Sequence, residues 1–480
     1  MKNILVTLLV LAFLCSCKNE GPVKKTNGHT APKNKNVVFI LVDDLGWKDL
    51  GCYGSSFYET PNIDRLAEHS KVFTNAYTPN PVCSPTRAAI LTGRYPSRIG
   101  ITDWIPGDDP KNRSLLGPED LHQLPLEETT IAESLKPYGY KTFFAGKWHL
   151  GNAGYFPENQ GFDNNKGGHH MGQPPGGYYS PYKNPKLSDG PEGEYLTDRL
   201  TDESITFLRE NKESPFLLYL AYYTVHTPIQ ASKRHLRKFQ DKQKKIGDSL
   251  ALTHREGKAF TVQNQYNAEY ASMVYALDEN VGRLFRELER LKLTDETLII
   301  FTSDNGGLST ITGEWKAPTS VKPLRAGKGW AYEGGVRVPL IIKPPGETKA
   351  AKITAPVISM DLFPTILDEM DLPLQPRLHK DGSSLKPIMD GEVRTVHEAL
   401  FWDYSHYHTS GWTPGQAVRK GNWKLIHFLE DDTFELYNLK NDISEQYDLA
   451  TENIEKLQDL KKELEQFNRR LKTARPKINH

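Results

Sequence analysis

This chain of 480 residues has few cysteines, no net charge and only one long apolar run. It has only 4 cysteines, which is too few for a scaffold built from disulfides. Lysine plus arginine and aspartate plus glutamate both total 60, so the chain lacks the positive excess of a general nucleic-acid binder. Its one long apolar run, residues 4–14, is too short to span a membrane. What remains is a globular composition, with 38% apolar and 25% charged residues.

The short apolar run has the features of an export signal. Lys2 precedes it, and it ends in the letters LCSC, which resemble a bacterial lipobox. Cys17 would then be the lipidated first residue of the mature chain, once residues 1–16 are removed as a signal peptide. The other interpretation is an ordinary secretory peptide with two chance cysteines. Residues 17–35 are polar and contain Gly and Pro, as is typical of a flexible tether.

Strands and helices alternate through most of the chain. Continuous apolar runs rich in β-branched residues predict buried strands at residues 37–42, 141–145, 216–223, 297–302 and 338–342. Helices are predicted between them, for example at residues 130–136 and 267–291. The alternation predicts an α/β fold with a large central, mostly parallel sheet flanked by helices.

The character of the sequence changes after residue 386. Residues 417–439 have the pattern of an antiparallel hairpin followed by a third strand. Apolar residues then recur at helical spacing from Ile454 to Leu471, which predicts a helix packed on this small sheet. We therefore expect a main domain over residues 36–386 and a small C-terminal α+β subdomain over residues 387–480.

Polar side chains follow four of the predicted strands, at the points where the strands end. In chain order they are Asp43 and Asp44, then Lys147 and His149, then His226, and finally Asp304 and Asn305. Open α/β sheets bind ligands beyond the carboxyl ends of their parallel strands, so we expect these side chains to converge. Each group taken alone would also fit a turn, since Asp and Asn commonly start loops.

The oxygen-bearing members of this set point to a metal. Asp43, Asp44, Asp304 and Asn305 supply hard oxygen ligands, which suit Ca²⁺ or Mg²⁺. Zn²⁺ is disfavoured because no Cys or His is interleaved at ligand spacing. For the Asp-Asp pair alone, a helix cap is an equal alternative. The Lys and His side chains nearby add cations or proton donors, and such a combination suits an anionic tetrahedral group.

The segment CSPTRAAILTGR, which begins at Cys83, carries the most specific pattern in the chain. A first helical turn tolerates Pro85, and Cys83 and Arg87 are four residues apart, so they share one helix face. Cys83 would stand at the helix N-terminus, where backbone N–H groups and the helix dipole favour an anion. The alternative is a buried structural cysteine.

This C-x-P-x-R pattern, followed by GR, resembles the signature of the formylglycine-dependent (type I) sulfatases of the alkaline phosphatase superfamily. Other segments are similar to that family's in the same order, over nearly the whole mature chain: VDDLGWKDLGCYG, TPNIDRLA, GKWHLG, HTP, SDNGG, GKGWAYEGGVRVP and VRKGNWKLI. The resemblance implies an exported sulfatase. The lipobox and the tether in turn predict a lipoprotein on the outer membrane of a Gram-negative bacterium, at its periplasmic or outer face.

The resemblance also implies a role for each matched position. A separate maturation enzyme would oxidise Cys83 to formylglycine, whose hydrate attacks sulfur and then expels sulfate. One Ca²⁺ would be held by Asp43, Asp44, Asp304, Asn305 and the oxygen of residue 83. The sulfate oxygens would be neutralised by Arg87, Lys147 and Lys328. His149 would orient or deprotonate the nucleophile, and His226 would protonate the leaving oxygen. Oxidation of Cys83 would leave Cys52 without a partner, so we expect no disulfide between them.

The substrate expected from this resemblance is a sulfated polysaccharide or its oligosaccharides. The stretch RIGITDWIPG is similar to one in bacterial sulfatases that act on galactose-containing polysaccharides. Aromatic side chains in loops would stack on sugars, with ordinary loop packing as the alternative: Trp104, His169, His170, Tyr178, Tyr179, Trp402, Tyr404, His406, Tyr407 and His408. Two other functions stay open: a phosphatase or phosphonate monoester hydrolase of the same superfamily, and a lipoprotein that only binds sulfated glycans.

Overall fold

The computed structural model describes residues 35–107, 110, 112–246, 252–313 and 316–480. The predicted signal peptide, Cys17 and nearly all of the predicted tether lie outside these residues, so the lipid anchor stays a prediction. Within the described ranges, no helix is both long enough and apolar enough to cross a membrane.

The strands lie in four sheets. In chain order they are β1 (Asn36–Val42), β2 (Lys71–Tyr77), β3 (Leu115–Leu116), β4 (Lys141–Gly146), β5 (Asn164–Lys166), β6 (Phe216–Tyr222), β7 (Thr253–Glu256), β8 (Ala259–Val262), β9 (Thr297–Ser303), β10 (Thr310–Ile311), β11 (Arg337–Lys343), β12 (Ala351–Ile353), β13 (Val357–Ile358), β14 (Leu400–Tyr404), β15 (Gly415–Lys420), β16 (Trp423–Phe428), β17 (Thr433–Asn438) and β18 (Lys477–Ile478). The helices are α1 (Pro61–Ala67), α2 (Cys83–Thr92), α3 (Pro96–Ile99), α4 (Ile131–Leu135), α5 (Leu196–Asn211), α6 (Leu236–Ile246), α7 (Ala268–Arg290), α8 (Glu333–Val336), α9 (Leu362–Glu369), α10 (Lys386–Met389) and α11 (Ile454–Leu471).

A nine-stranded sheet forms the centre of the molecule, in the order β12-β2-β11-β9-β1-β6-β4-β5, with β13 also paired to β2. All of its strands run in the direction of β1 except β11, which is antiparallel to both β9 and β2. The predicted mostly parallel sheet is therefore confirmed. A buried apolar run does not encode its own direction, which is why the sequence predicts β11 as a strand and leaves its orientation unassigned.

Two apolar layers cover the central sheet, because successive side chains of a strand point to opposite faces. In β1, Val38, Ile40 and Val42 pack with residues of α5 and α7 on one face. The alternate residues Val37 and Phe39 pack on the other face with residues of α2, α4 and α9. Every residue of β1, β6 and β9 is buried, and this double burial explains their continuous apolar sequences.

The C-terminal region forms the predicted small antiparallel sheet, with α11 packed on it. The sheet order is β14-β15-β16-β17, so the three predicted strands are confirmed and β14 is an addition. Five of the six apolar positions on the α11 stripe are buried: Leu457, Leu460, Leu464, Phe467 and Leu471. Ile454 is the exception at 56% exposure, because it begins the helix.

A buried charge cluster joins this small sheet to the main domain. The Lys424 ammonium, on β16, lies 3.0 Å from a carboxylate oxygen of Glu333 and 3.0 Å from one of Glu445. All three side chains are fully buried. Tyr77, on β2, donates its hydroxyl to the second oxygen of Glu333 at 2.7 Å. Arg337 lies 3.3 Å from that same oxygen, so Glu333 contacts two cations and shares Lys424 with Glu445.

Candidate active site

The strand ends of the central sheet bring the predicted polar residues together. Asp43 and Asp44 follow β1, Lys147 and His149 follow β4, His226 follows β6, and Asp304 and Asn305 follow β9. Helix α2 contributes Cys83 and Arg87, and the loop before α8 contributes Lys328. Hydrogen bonds and ion pairs link eight of these residues, and Cys83 and His149, which contact each other, line one cavity with His226 and Lys328. The predicted convergence is therefore observed.

Cys83 is the first residue of α2 and is buried. The extended backbone of Val82 leads into the helix, and Gly93, with φ of 65°, ends it in the left-handed conformation. The thiol sulfur lies 3.3 Å from Nδ1 of His149. Cys83 and the exposed Cys52 are both free thiols.

His149 is held as a neutral proton acceptor toward Cys83. Its Nε2 donates to the carbonyl oxygen of Ile105, which fixes the proton on that nitrogen and leaves the Nδ1 lone pair facing the sulfur. Ser84 secures the arrangement, because its hydroxyl donates to the His149 carbonyl at 3.0 Å and accepts from the Ile105 amide at 3.1 Å. Burial, reinforced by Lys147, holds the pKa of His149 well below its usual range. Ile105 acts through its backbone, for which the sequence carries no signal.

Three carboxylates and three cations alternate beneath Cys83. The Lys147 ammonium contacts both oxygens of Asp43, at 2.8 and 3.0 Å. Arg87 contacts Asp304 through Nε at 2.8 Å and through its terminal nitrogen at 2.7 Å. Lys328 contacts Asp44 at 2.7 Å. The three pairs leave this layer without net charge when every group is ionised.

Burial and pairing act differently on the three acids. Burial outweighs the attraction of Lys147 and raises the pKa of Asp43 well above its usual range. For Asp44, burial is overcome by Lys328 and the pKa is lowered. For Asp304, burial is likewise overcome by Arg87 and the pKa is lowered. The lowered pKa values of Asp44 and Asp304 therefore favour the anionic form that a metal requires.

The oxygen donors of this layer fit a hard divalent cation. Ligand atoms of Asp43, Asp44 and His226 all lie within 4.8 Å of one another. Asn305 donates its amide nitrogen to Asp44 at 2.8 Å, while its amide oxygen is buried without a hydrogen-bond partner among the described residues. An unpartnered buried oxygen is costly unless something neutralises it, and a cation would. This group includes His226, which is not in the predicted ligand set. It does not include the predicted ligand Asp304, whose carboxylate contacts Arg87.

His226 presents a lone pair to the site in its neutral form. Its Nδ1 donates to the Thr227 carbonyl at 2.7 Å, and its Nε2 lies 3.8 Å from Asp44. Burial and then Lys328 lower its pKa to about 3, against the opposing effect of Asp44. Donation of a proton from Nε2 therefore requires the doubly protonated ring.

A cavity of about 630 Å³ opens above Cys83. Its lining includes Trp104, His122, His170, Lys328 and His408. Three of the ten aromatic loop residues considered above thus face the cavity. Most of the others are buried in ordinary packing: His169, Tyr178, Trp402, Tyr404, His406 and Tyr407. His122 is an addition that no sequence pattern marks.

Comparison with known families gives two matches. The family described as "Sulfatase" matches residues 35–372. The family described as "N-sulphoglucosamine sulphohydrolase, C-terminal" matches residues 326–473. Together they cover the central sheet and the four-stranded C-terminal sheet.

Individual proteins agree with these matches. A protein of Formosa agariphila named "Sulfatase" is 30% identical over 94% of this chain and 89% of its own length. Human N-acetylgalactosamine-6-sulfatase is 30% identical over 94% of this chain and 88% of its own length. A crystal structure of i-CgsB with k-i-k-neocarrahexaose superposes with a TM-score of 0.73, at 31% identity, over 91% of this chain and 93% of that one.

Proposed function

Because this chain belongs to the sulfatase family and is a sulfuric ester hydrolase, we propose that it desulfates a sulfated polysaccharide or its oligosaccharides, with galactose-containing glycans as first candidates. The observation that carries this proposal is Cys83, in its C-x-P-x-R motif, at the base of a cavity and facing a neutral His149. Two similar proteins support a carbohydrate substrate: one is named for N-acetylgalactosamine-6-sulfate and the other is bound to an oligosaccharide.

The nucleophile we propose is formylglycine made from Cys83 by a maturation enzyme. Its hydrate supplies two hydroxyl groups on one carbon, one to attack sulfur and one to expel sulfate afterwards. The position of residue 83 supports this role, since it is the first residue of α2, where the helix dipole favours negative charge. His149 accepts a proton at Nδ1, the atom that already faces residue 83.

Charge balance explains how the same site would accept both a metal and a sulfate. The three acids and three cations below Cys83 cancel. We propose that Asp43, Asp44, Asp304, Asn305 and the residue-83 oxygen hold Ca²⁺, which would supply positive charge for the sulfate oxygens. Arg87, Lys147 and Lys328 are then released in part from their acids to face the same anion.

The leaving oxygen needs a proton, and His226 is our proposed donor. Its neutral form has no proton on Nε2, so the ring must first be charged. An anionic sulfate ester bound beside it would favour the charged form, as Asp44 already does. Substrate binding and protonation of His226 are therefore coupled in this proposal.

Removal of divalent metal should lower sulfate release by about tenfold or more, because the metal supplies charge that the protein cations alone do not. Ca²⁺ added back should restore activity and raise the melting temperature of the protein, since binding to the folded state stabilises it. Asn305→Leu is the matched variant: it keeps the approximate size of the side chain, removes the unpartnered oxygen and should weaken the Ca²⁺-dependent rise. A melting temperature and activity that ignore a strong chelator would contradict the metal site.

The test of the proposed function is sulfate release from a panel of sulfated mono- and oligosaccharides, beside matching phosphate esters. The protein is co-produced with a maturation enzyme, and Cys83→Ala serves as the blank. We expect release from one positional isomer of a sulfated sugar and at most weak phosphate release. No release from any glycan, with the aldehyde at residue 83 confirmed by mass spectrometry, would contradict the glycan assignment. Faster release of phosphate than of sulfate would favour the phosphatase alternative.

A further inference from the structure

We propose that His408, from the small C-terminal sheet, contacts the substrate and donates a hydrogen bond to an oxygen of the sugar that carries the scissile sulfate. This inference rests on the proposed glycan substrate. His408 lies in the loop between β14 and β15 and lines the cavity above Cys83. The catalytic motifs of the main domain do not include it.

The hydrogen bonds of the imidazole fix which nitrogen carries the proton. Nδ1 accepts from the backbone amide of Ser410 at 3.1 Å and lies 2.7 Å from the Ser410 hydroxyl. A backbone N–H is only a donor, so Nδ1 carries the lone pair and the neutral ring carries its proton on Nε2. Nε2 has no hydrogen-bond partner among the described residues and is the polar atom left for the cavity.

The surrounding loop is well anchored, so this donor is preorganised. Trp412, on the same loop, donates to the Tyr404 carbonyl at 3.1 Å, and Trp330 donates to the Ser410 carbonyl at 3.1 Å. The ring packs directly on Gly329, where an added Cβ would lie 2.1 Å from Nδ1. That contact places His408 beside the backbone of Lys328, the cation that pairs with Asp44 at the cavity floor.

The chemistry of the cavity walls indicates what His408 would bind. Lys328 is the cation on the floor, whereas in the described part of the chain no Asp or Glu lines the cavity. The walls offer neutral groups instead, among them Asn152, His170 and Gln173. A neutral N–H donor matches the hydroxyl or ring oxygens of a sugar, and Trp104 adds an aromatic face. His226 differs from His408 in this respect, because its neutral ring presents a lone pair on Nε2 and not an N–H group.

The test compares the glycan sulfate found in the panel with 4-nitrophenyl sulfate, which lacks sugar oxygens. His408→Ala should raise KM for the glycan by about tenfold to a hundredfold with kcat nearly unchanged, because a buried sugar oxygen loses its partner. The aryl sulfate should change by no more than about threefold. His408→Gln, whose amide can still donate, should recover part of the loss. His427→Ala is the control, since that histidine of the same subdomain pairs with Asp432 outside the cavity and should leave both substrates unaffected.

Four outcomes would overturn the inference. Equal losses on both substrates would indicate a structural role, and an unchanged KM for the glycan would remove the contact altogether. A fall in kcat without a rise in KM would place His408 at the leaving oxygen rather than on the sugar. If the unaltered protein hydrolyses the aryl sulfate and none of the glycans, the proposed glycan function itself fails, and this inference fails with it.

Discussion

Cys83→Ala should reduce sulfate release by on the order of 10⁴-fold or more, because loss of the nucleophile removes the covalent route and leaves only binding and electrostatic stabilisation. Cys83→Ser should be nearly as inactive, since a serine has one oxygen where the proposed hydrate has two. Both variants should keep the fold, because the side chain changes little in size and the backbone of residue 83 can still begin α2. The measurement is sulfate release under single- and multiple-turnover conditions.

Cys52 provides the matched control for that prediction. It is also a free thiol, but it is exposed and lies outside the cavity above Cys83. Cys52→Ala should therefore keep activity within about twofold. An aldehyde-reactive label should mark the unaltered protein and Cys52→Ala, and neither Cys83 variant. Substantial turnover by Cys83→Ser, or labelling that survives the loss of Cys83, would contradict the formylglycine proposal.

Much of the site could be predicted because its parts obey local rules. The acids and histidines follow apolar strands, and parallel strands place their ends at one edge of a sheet, so Asp43, His149 and Asp304 converge without any knowledge of long-range contacts. Ile105 could not be predicted, because it holds His149 through a carbonyl that every residue type has. The proton positions on His149 and His226 could not be predicted from the sequence either, because each depends on which backbone carbonyl lies beside the ring.

The strands and helices also divide into those that the sequence predicts and those that it does not. Continuous apolar runs and helical spacing are properties of the segment itself, and such local patterns predicted β1, α7 and α11 closely. Strands whose burial depends on partners were missed: β2 mixes apolar and polar residues, and β14 pairs only within the small sheet. The contribution of the C-terminal subdomain to the cavity, through His408, also requires the two sheets to be placed against each other.

That placement makes the contact between the sheets functionally important, and Lys424 lies at its centre. Lys424→Met should lower the free energy of unfolding by about 3–5 kcal/mol, because Glu445 would stay buried without its cation and Glu333 would be left with Arg337, at 3.3 Å. Burial raises the pKa of Glu445 to about 7, more than Lys424 lowers it, so this acid is the weaker partner of the lysine. The measurement is chemical denaturation followed by fluorescence and by sulfate release.

A surface ion pair supplies the comparison that separates buried from exposed charge. Lys420, on the neighbouring strand β15, pairs with Glu463 of α11 and its side chain is 46% exposed. Lys420→Met should change stability by no more than about 0.5 kcal/mol, since water screens such pairs. Glu445→Gln added to Lys424→Met should recover part of the loss, because it replaces the carboxyl group that has lost its cation with a neutral amide, whereas Glu333 keeps Arg337. Equal effects of Lys420→Met and Lys424→Met, or no recovery in the double variant, would show that packing of the methylene chain and not charge burial holds the two sheets together.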